Sequence, residues 1–235
     1  MIEINSTSRV LLYLVPRVND VPGEAPPSEG RRARNAKATR RRILAAAHEL
    51  FIRDGYSATT VQQIADAADV AWQTVYAVFR TKPAILSALF DVTVVGDDEP
   101  VPMLDRPFIK QIAAATDPRD KARIFAAHIR ETGSRTAGVV SVLEAAATSD
   151  RDIADLWQTL QDQRRYGMGM AVRAFRSEAV LRADVTDERA LAVLWFLTGP
   201  WPYRALVTES GLSDDDFQRW LEETLFDQLF STRTG

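Results

Sequence analysis

Seven basic side chains, Arg31, Arg32, Arg34, Lys37, Arg40, Arg41 and Arg42, lie within a dozen residues that contain no acid. The whole chain carries a formal net charge of -3, so this cluster is a local segregation of charge and not part of a basic coat. Guanidinium and ammonium groups this dense suit a polyanion, whose counterions they displace. Further along, Trp72, Gln73, Thr74 and Tyr76 bring aromatic faces, an amide and a hydroxyl close together, a set fitted to recognition. Covalent chemistry is poorly served. The histidines are His48 and His128 alone, there is no cysteine, and neither a glycine-rich phosphate loop nor paired metal-ligand spacing occurs. No catalytic residue, metal or cofactor is therefore expected; an active site would have to be built from scattered carboxylates. The absence of cysteine excludes disulfides and thiolate sites and fits a reducing cytoplasm.

These side chains need elements to position them, and the periodicity supplies helices. Ile43, Leu44, Ala47, Leu50 and Phe51 recur at three- and four-residue steps and predict a helix from Thr39, closed by Gly55, with Tyr56 packing back on its stripe. Thr60-Val61-Gln62-Gln63 has capping-box form and starts a second helix with Val61, Ile64, Ala65 and Ala68 inward. Asp69-Val70 is a turn. A third helix, Ala71 to Phe79, is expected to bury Val75, Val78 and Phe79 and to leave Trp72, Gln73, Thr74, Tyr76 and Ala77 outside. Pro83 suits the first turn of a fourth helix. Residues 21–38, rich in Pro, Gly, Ala and charge, read as a flexible arm ending in the basic cluster. The run Val10 to Val15 is too short for a secretory core or a membrane span, and reads as a tail or as a strand or short helix docked on the body.

Beyond a proline-rich acidic linker, Gly96 to Pro107, the pattern stays helical. Segments are expected at Phe108–Ala115, Arg119–Glu131, Ala137–Thr148, Asp152 to about Glu178, Asp187 to about Glu209 with a break at Pro200 and Pro202, and a final helix capped by Ser213. With 46% hydrophobic residues and 235 positions, a substantial core is affordable, and no convincing strand or repeat appears. The fold class expected is all-α, a three-helix head followed by a helical body.

Two short helices joined by a tight turn, the second with a polar and aromatic outer face, form the helix-turn-helix pattern, whose second helix lies in the DNA major groove. The full run is more specific: I-L-x-A-A-x-x-L-F-x-x-x-G-Y over Ile43 to Tyr56, T-T-V-x-x-I-A over Thr59 to Ala65, T-V-Y-x-x-F over Thr74 to Phe79, then Lys82. From Thr39 to Asp91 the chain resembles the TetR family of transcriptional regulators. The resemblance implies an N-terminal DNA-binding domain and a larger helical domain that binds a small effector and forms a homodimer. On that pattern the arm is 1–38, the reading head 39–82 and the effector-binding and dimerisation domain 83–235. The implied function is repression of a palindromic operator, released by an unknown small-molecule effector; the alternative is a helical ligand-binding protein that has lost DNA binding.

Carried over by position, Thr60, Tyr76 and Lys82 would meet phosphates and Gln73 and Thr74 base edges. Three positions depart from the family pattern: Ala71 stands where a capping Ser is usual, Trp72 where Lys or another polar residue is common, and Gln73 where Gly is frequent. Trp72 is expected on a sugar edge or thymine methyl, or else against the first helix. Arg34, Lys37 and Arg40 would replace the lost phosphate contacts, the arm reaching a minor groove as homeodomain arms do. Glu144 is the lone ionisable residue between Arg135 and Asp150, and needs a partner if buried. Phe125, His128, Val140, Trp157, Met168, Met170 and Trp195 are the candidates to line an effector pocket with Glu144, flexible methionine and rigid aromatics suiting a permissive cavity. Gly167 and Gly169 suggest close helix approach or room for a ligand. Gly199-Pro200-Trp201-Pro202-Tyr203-Arg204 resembles the G-P-x-x-Y-R element near the family's dimer interface, which places Trp201 and Tyr203 there, with Phe217, Trp220, Leu221 and Leu225 of the last helix as the other half.

Overall fold

The computed structural model of the chain describes residues 30–97, 105–178 and 180–230. The run at 10–15, the tail before Gly30 and most of the linker lie outside them. The chain divides into two compact units. The first takes the chain up to Glu99 and adds Gly138–Gln158; the second comprises Pro100–Ala137 and Thr159–Gly235.

In the first unit, helix α1 spans Arg31–Asp54, beginning at Arg31 and not at Thr39 as expected. The basic cluster is thus a helical extension, which corrects the flexible-arm reading for residues 31–38. The prolines and glycines behind that reading all stand at or before Gly30, whereas Ala33, Ala36, Lys37 and Ala38 are good helix formers. Ile43, Ala47 and Phe51 are sealed inside, and Tyr56 packs back at 5.5 Å from Phe51. Gly55 adopts φ +82°, a region that favours glycine. Helix α2, Val61–Ala67, carries the complete capping box of Thr60 and Gln63. Helix α3, Trp72–Phe79, starts from Ala71 with no side-chain cap. It buries Val75 and Phe79; Val78, expected inside, is 38% exposed, because the contact face of so short a helix is one residue wide. Helix α4, Lys82–Val95, is capped by Thr81, whose Oγ1 accepts from the Ala84 amide, and ends at Gly96 with φ +89°.

The later helices are α5 (Pro107–Ala114), α6 (Pro118–Ala147), α7 (Arg151–Ser177), α8 (Asp187–Leu197), the short α9 (Pro200–Tyr203) and α10 (Asp214–Leu229). Two segments expected apart, Arg119–Glu131 and Ala137–Thr148, are one continuous α6. Between them Gly133 gives room to Tyr203: a Cβ there would stand 2.6 Å from Tyr203 Cδ2. After α9 the chain makes a wide π-helical turn, Arg204–Glu209. The second unit's core joins Phe125, Phe175, Leu194, Phe217, Leu221 and Leu225. Within it Lys121, 1% exposed, reaches Glu178 Oε2 at 2.7 Å and donates to the Ile112 carbonyl at 2.6 Å. Among the described residues all regular structure is helical apart from an isolated antiparallel bridge between Leu181 and Phe230.

Candidate nucleic-acid interface

Helices α2 and α3 are set at their turn by Asp69, whose positive φ of 50° lets the Val70 amide donate back to the Ala65 carbonyl. From α1, Arg42 reaches this turn, Nη1 lying 3.5 Å from the Asp69 carbonyl oxygen and 4.0 Å from its carboxylate. The inward faces are apolar and close, so the outer face of α3 is presented on a rigid base. On that face Trp72 is 46% and Tyr76 45% exposed, with their rings edge to face at 5.3 Å. Gln73 and Ala77 are exposed beside them, and Thr74 is half-buried. Trp72 therefore does not enter the core of α1: it is a half-exposed aromatic held one turn from another.

The basic residues split by role. Arg34 is exposed, Lys37 half-buried, and Arg40 lies along α3 with its guanidinium 4.8 Å from the Phe79 ring centroid. The ammonium of Lys82 is committed internally. It donates to the Tyr56 carbonyl at 2.9 Å and the Thr59 carbonyl at 3.0 Å, 4.1 Å from the Tyr56 ring centroid. Burial lowers its pKa, partly offset by Asp150, and burial with the charges of Asp150 and Asp152 raises that of the Tyr56 phenol. Thr60 is likewise engaged, accepting from the Gln63 amide at 3.2 Å and donating to Gln63 Oε1 at 2.9 Å.

Residues 43–89 match the family model of bacterial regulatory proteins of the tetR family. The helix-turn-helix segment is thus of the TetR kind. An uncharacterised helix-turn-helix transcriptional regulator of Bacillus subtilis, YdeS, is 27% identical over 180 residues, covering 76% of this chain and 83% of that protein. The fold is similar to that of NalD from Pseudomonas aeruginosa, the secondary repressor of the MexAB-OprM multidrug efflux pump (TM-score 0.60, 20% identity, 84% of this chain and 98% of that one). It is also similar to SmeT solved in complex with triclosan (TM-score 0.64, 18% identity, 83% and 92% covered). The chain is a transcriptional regulator.

The residues expected around an effector are shared between the two units of the chain. Val140, Glu144 and Trp157 belong to the first, Phe125, His128, Met168, Met170 and Trp195 to the second. In the first, Val140 is buried and Glu144 and Trp157 are half-buried. In the second, Phe125 is core, and His128 stacks flat on Phe108 with centroids 3.8 Å apart. Burial, with the Arg135 charge, drops the His128 pKa to about 4. Met168 and Met170 are half-buried. A Cβ on Gly169 would meet Arg173 Nη1 alone, at 3.5 Å, so this glycine does not mark close helix approach.

Of the residues assigned to a dimer contact, Tyr203, Phe217, Leu221 and Leu225 are 5% exposed or less, sealed in the core of a single chain, with no surface left for a second copy. Their spacing marks an inward stripe, which a sequence does not distinguish from an interface stripe. Trp201 and Trp220 are half-buried. What the sequence reading passed over is Arg164. It lies four residues after Leu160 and four before Met168, on the apolar stripe of α7, and that placement was its signal. Among the described residues no group of histidines and carboxylates could hold a metal, and no helix is long and apolar enough to cross a membrane.

Proposed function

We propose that the chain is a cytoplasmic repressor that binds a palindromic operator as a homodimer and leaves it when a small effector occupies the helical body. In this reading α3 enters the major groove with Trp72, Gln73, Thr74 and Tyr76 toward the bases and adjoining backbone. The helical extension of α1 lays Arg34 and Lys37 along phosphates, and Arg40 steadies α3. The single observation that carries the reading is the Trp72–Tyr76 pair, two large aromatics nearly half exposed on the outer face of the second helix of the motif. Apolar area of that size left in water calls for a partner, and a thymine methyl or sugar edge beside Gln73 supplies one. NalD as a repressor and SmeT with triclosan support repression and a small-molecule effector by likeness of fold.

The test is fluorescence anisotropy with the duplex lying upstream of the chain's own gene. Trp72→Ala should weaken specific binding by about tenfold or more, the scale of one good base contact, while leaving thermal stability within about 0.5 kcal/mol, as for an exposed site. Wild-type affinity in that variant removes Trp72 from the interface. No specific binding by the wild-type protein would favour a ligand-binding protein without DNA recognition, a reading the uncapped start of α3 and the internally engaged Lys82 keep open.

A further inference from the structure

Buried polar atoms in native proteins nearly always have partners, and a cluster of exceptions calls for an explanation. Among the described residues seven buried side-chain atoms lack a hydrogen-bond partner, and four of them sit on one turn of α7: Gln161 Oε1, both amide atoms of Gln163, and Arg164 Nη1. Gln163 is 8% exposed. Arg164 is held in place by its other nitrogen, Nη2, which donates to the Trp195 carbonyl and lies 3.5 Å from Thr198 Oγ1. Its guanidinium stands 4.2 Å from the Trp195 ring centroid and 5.8 Å from that of Trp201, with the two indoles 6.3 Å apart. Gly199 leaves the space for this packing, since a Cβ there would stand 2.8 Å from Trp201 Cε3 and 3.1 Å from Arg164 Nη2. No carboxylate among the described residues pairs with Arg164. Burial alone lowers its pKa, to about 10, so the group stays charged at neutral pH.

From this arrangement we infer that the turn Gln161–Arg164 is a binding site for a small organic anion, its charged head on Arg164 and its apolar body against Trp195 and Trp201. A buried cation is stable only when paired. Indole faces soften the charge but do not satisfy the N–H left on Nη1. A carboxylate or phosphate oxygen accepts from Nη1, and the Gln163 amide offers a second donor and an acceptor for a hydroxyl or N–H elsewhere on the ligand. The inference rests on the effector reading above and gives that effector a charge: negative, with an aromatic or aliphatic body.

The experiment uses the full chain without DNA, so operator release does not enter it. Thermal melting and tryptophan fluorescence are followed with phenylacetate, phenyl phosphate and inorganic phosphate, and with benzamide and benzylamine as neutral and cationic probes of similar size. Phenylacetate or phenyl phosphate should raise the melting midpoint by roughly 5–10 °C at a hundredfold excess over Kd and quench the indoles; benzamide and benzylamine should not. Which of the two anions wins identifies the head group. Arg164→Gln should lose at least about tenfold in anion affinity, and Arg164→Lys should retain part of it.

Gln163→Leu guards against a variant that merely misfolds: removing two unpaired buried atoms should raise the midpoint of the free protein while shrinking the anion-induced shift. The site is overturned if no anion stabilises the wild type, if benzamide or benzylamine does so instead, or if Gln163→Leu lowers the free midpoint and keeps the shift. It is also overturned if Arg164→Gln turns a dimer into a monomer in sedimentation with the anion response intact, because the counter-charge then comes from a second copy. Anion binding that leaves operator affinity unchanged supports the site and counts against the effector reading alone.

Discussion

Lys82 shows how one side chain can be read two ways. Its position matches a phosphate contact, yet its ammonium ties the Tyr56 and Thr59 carbonyls between α1 and α2. The two roles separate by experiment. Lys82→Ala should cost about 1–3 kcal/mol of stability, the scale of leaving such acceptors unmet, with no change in the slope of log operator affinity against log salt. A slope shallower by about 0.9 would mean a lost phosphate contact instead. His128 supplies a pH handle. Its folded pKa of about 4 lies below the ordinary 6.5, so the neutral ring favours the fold. That stability is complete above pH 6.5 and is lost as pH falls toward 4, on the order of 3 kcal/mol in all. In melting curves from pH 7.5 to 4.5, His128→Leu should show a flatter decline than wild type. Of these residues the sequence disclosed types and neighbours along the chain: the exposed Trp72 was legible from helical spacing, and the bare cap at Ala71 from its departure from the family pattern. The engagement of Lys82, the Phe108 stack under His128 and the indoles around Arg164 were not, because each depends on contacts between residues 20 to 37 positions apart.

At the scale of elements, local chemistry was the reliable guide. Thr60 with Gln63, Thr81 with Pro83 and Ser213 before three aspartates each start a helix where their hydrogen bonds require it, and each does so in the structure. Errors came where a local signal had a distant cause. Arg119–Glu131 and Ala137–Thr148 looked like separate helices and are one; residues 31–38 looked like an arm and are helix. The second difference changes what the basic cluster can do. A flexible arm threads a minor groove, whereas two further turns of α1 hold their charges at fixed spacing along a backbone. Replacing Arg31 and Arg34 together by alanine should lower the salt slope by up to about 1.8, two phosphates at about 0.9 each. Affinity should fall alike for specific and unrelated duplexes, as for contacts that carry no sequence information.

At the scale of the molecule, the fold class and the reading head were legible because amphipathic period and caps are written locally. The partition of the core was not. An inward stripe and an interface stripe have the same spacing, so Phe217, Leu221 and Leu225 could be told apart from dimer contacts by their burial alone. Nor does the linear order of the chain disclose that the first unit takes in Gly138–Gln158 as well as the stretch up to Glu99. The close seat of Ile52 on Gly138, where a Cβ would stand 2.7 Å from Ile52 Cδ1, belongs to that unit. An excised fragment 30–97 should therefore melt less cooperatively and at lower temperature than the same segment in the whole chain, as calorimetry would register. The consequence reaches recombination. A single crossover in the linker transplants the helix-turn-helix but leaves behind the piece of α6 and α7 that completes its unit, so the hybrid meets a foreign seat at Ile52. A faithful exchange of DNA specificity between relatives requires a second cassette, 138–158, to travel with the first.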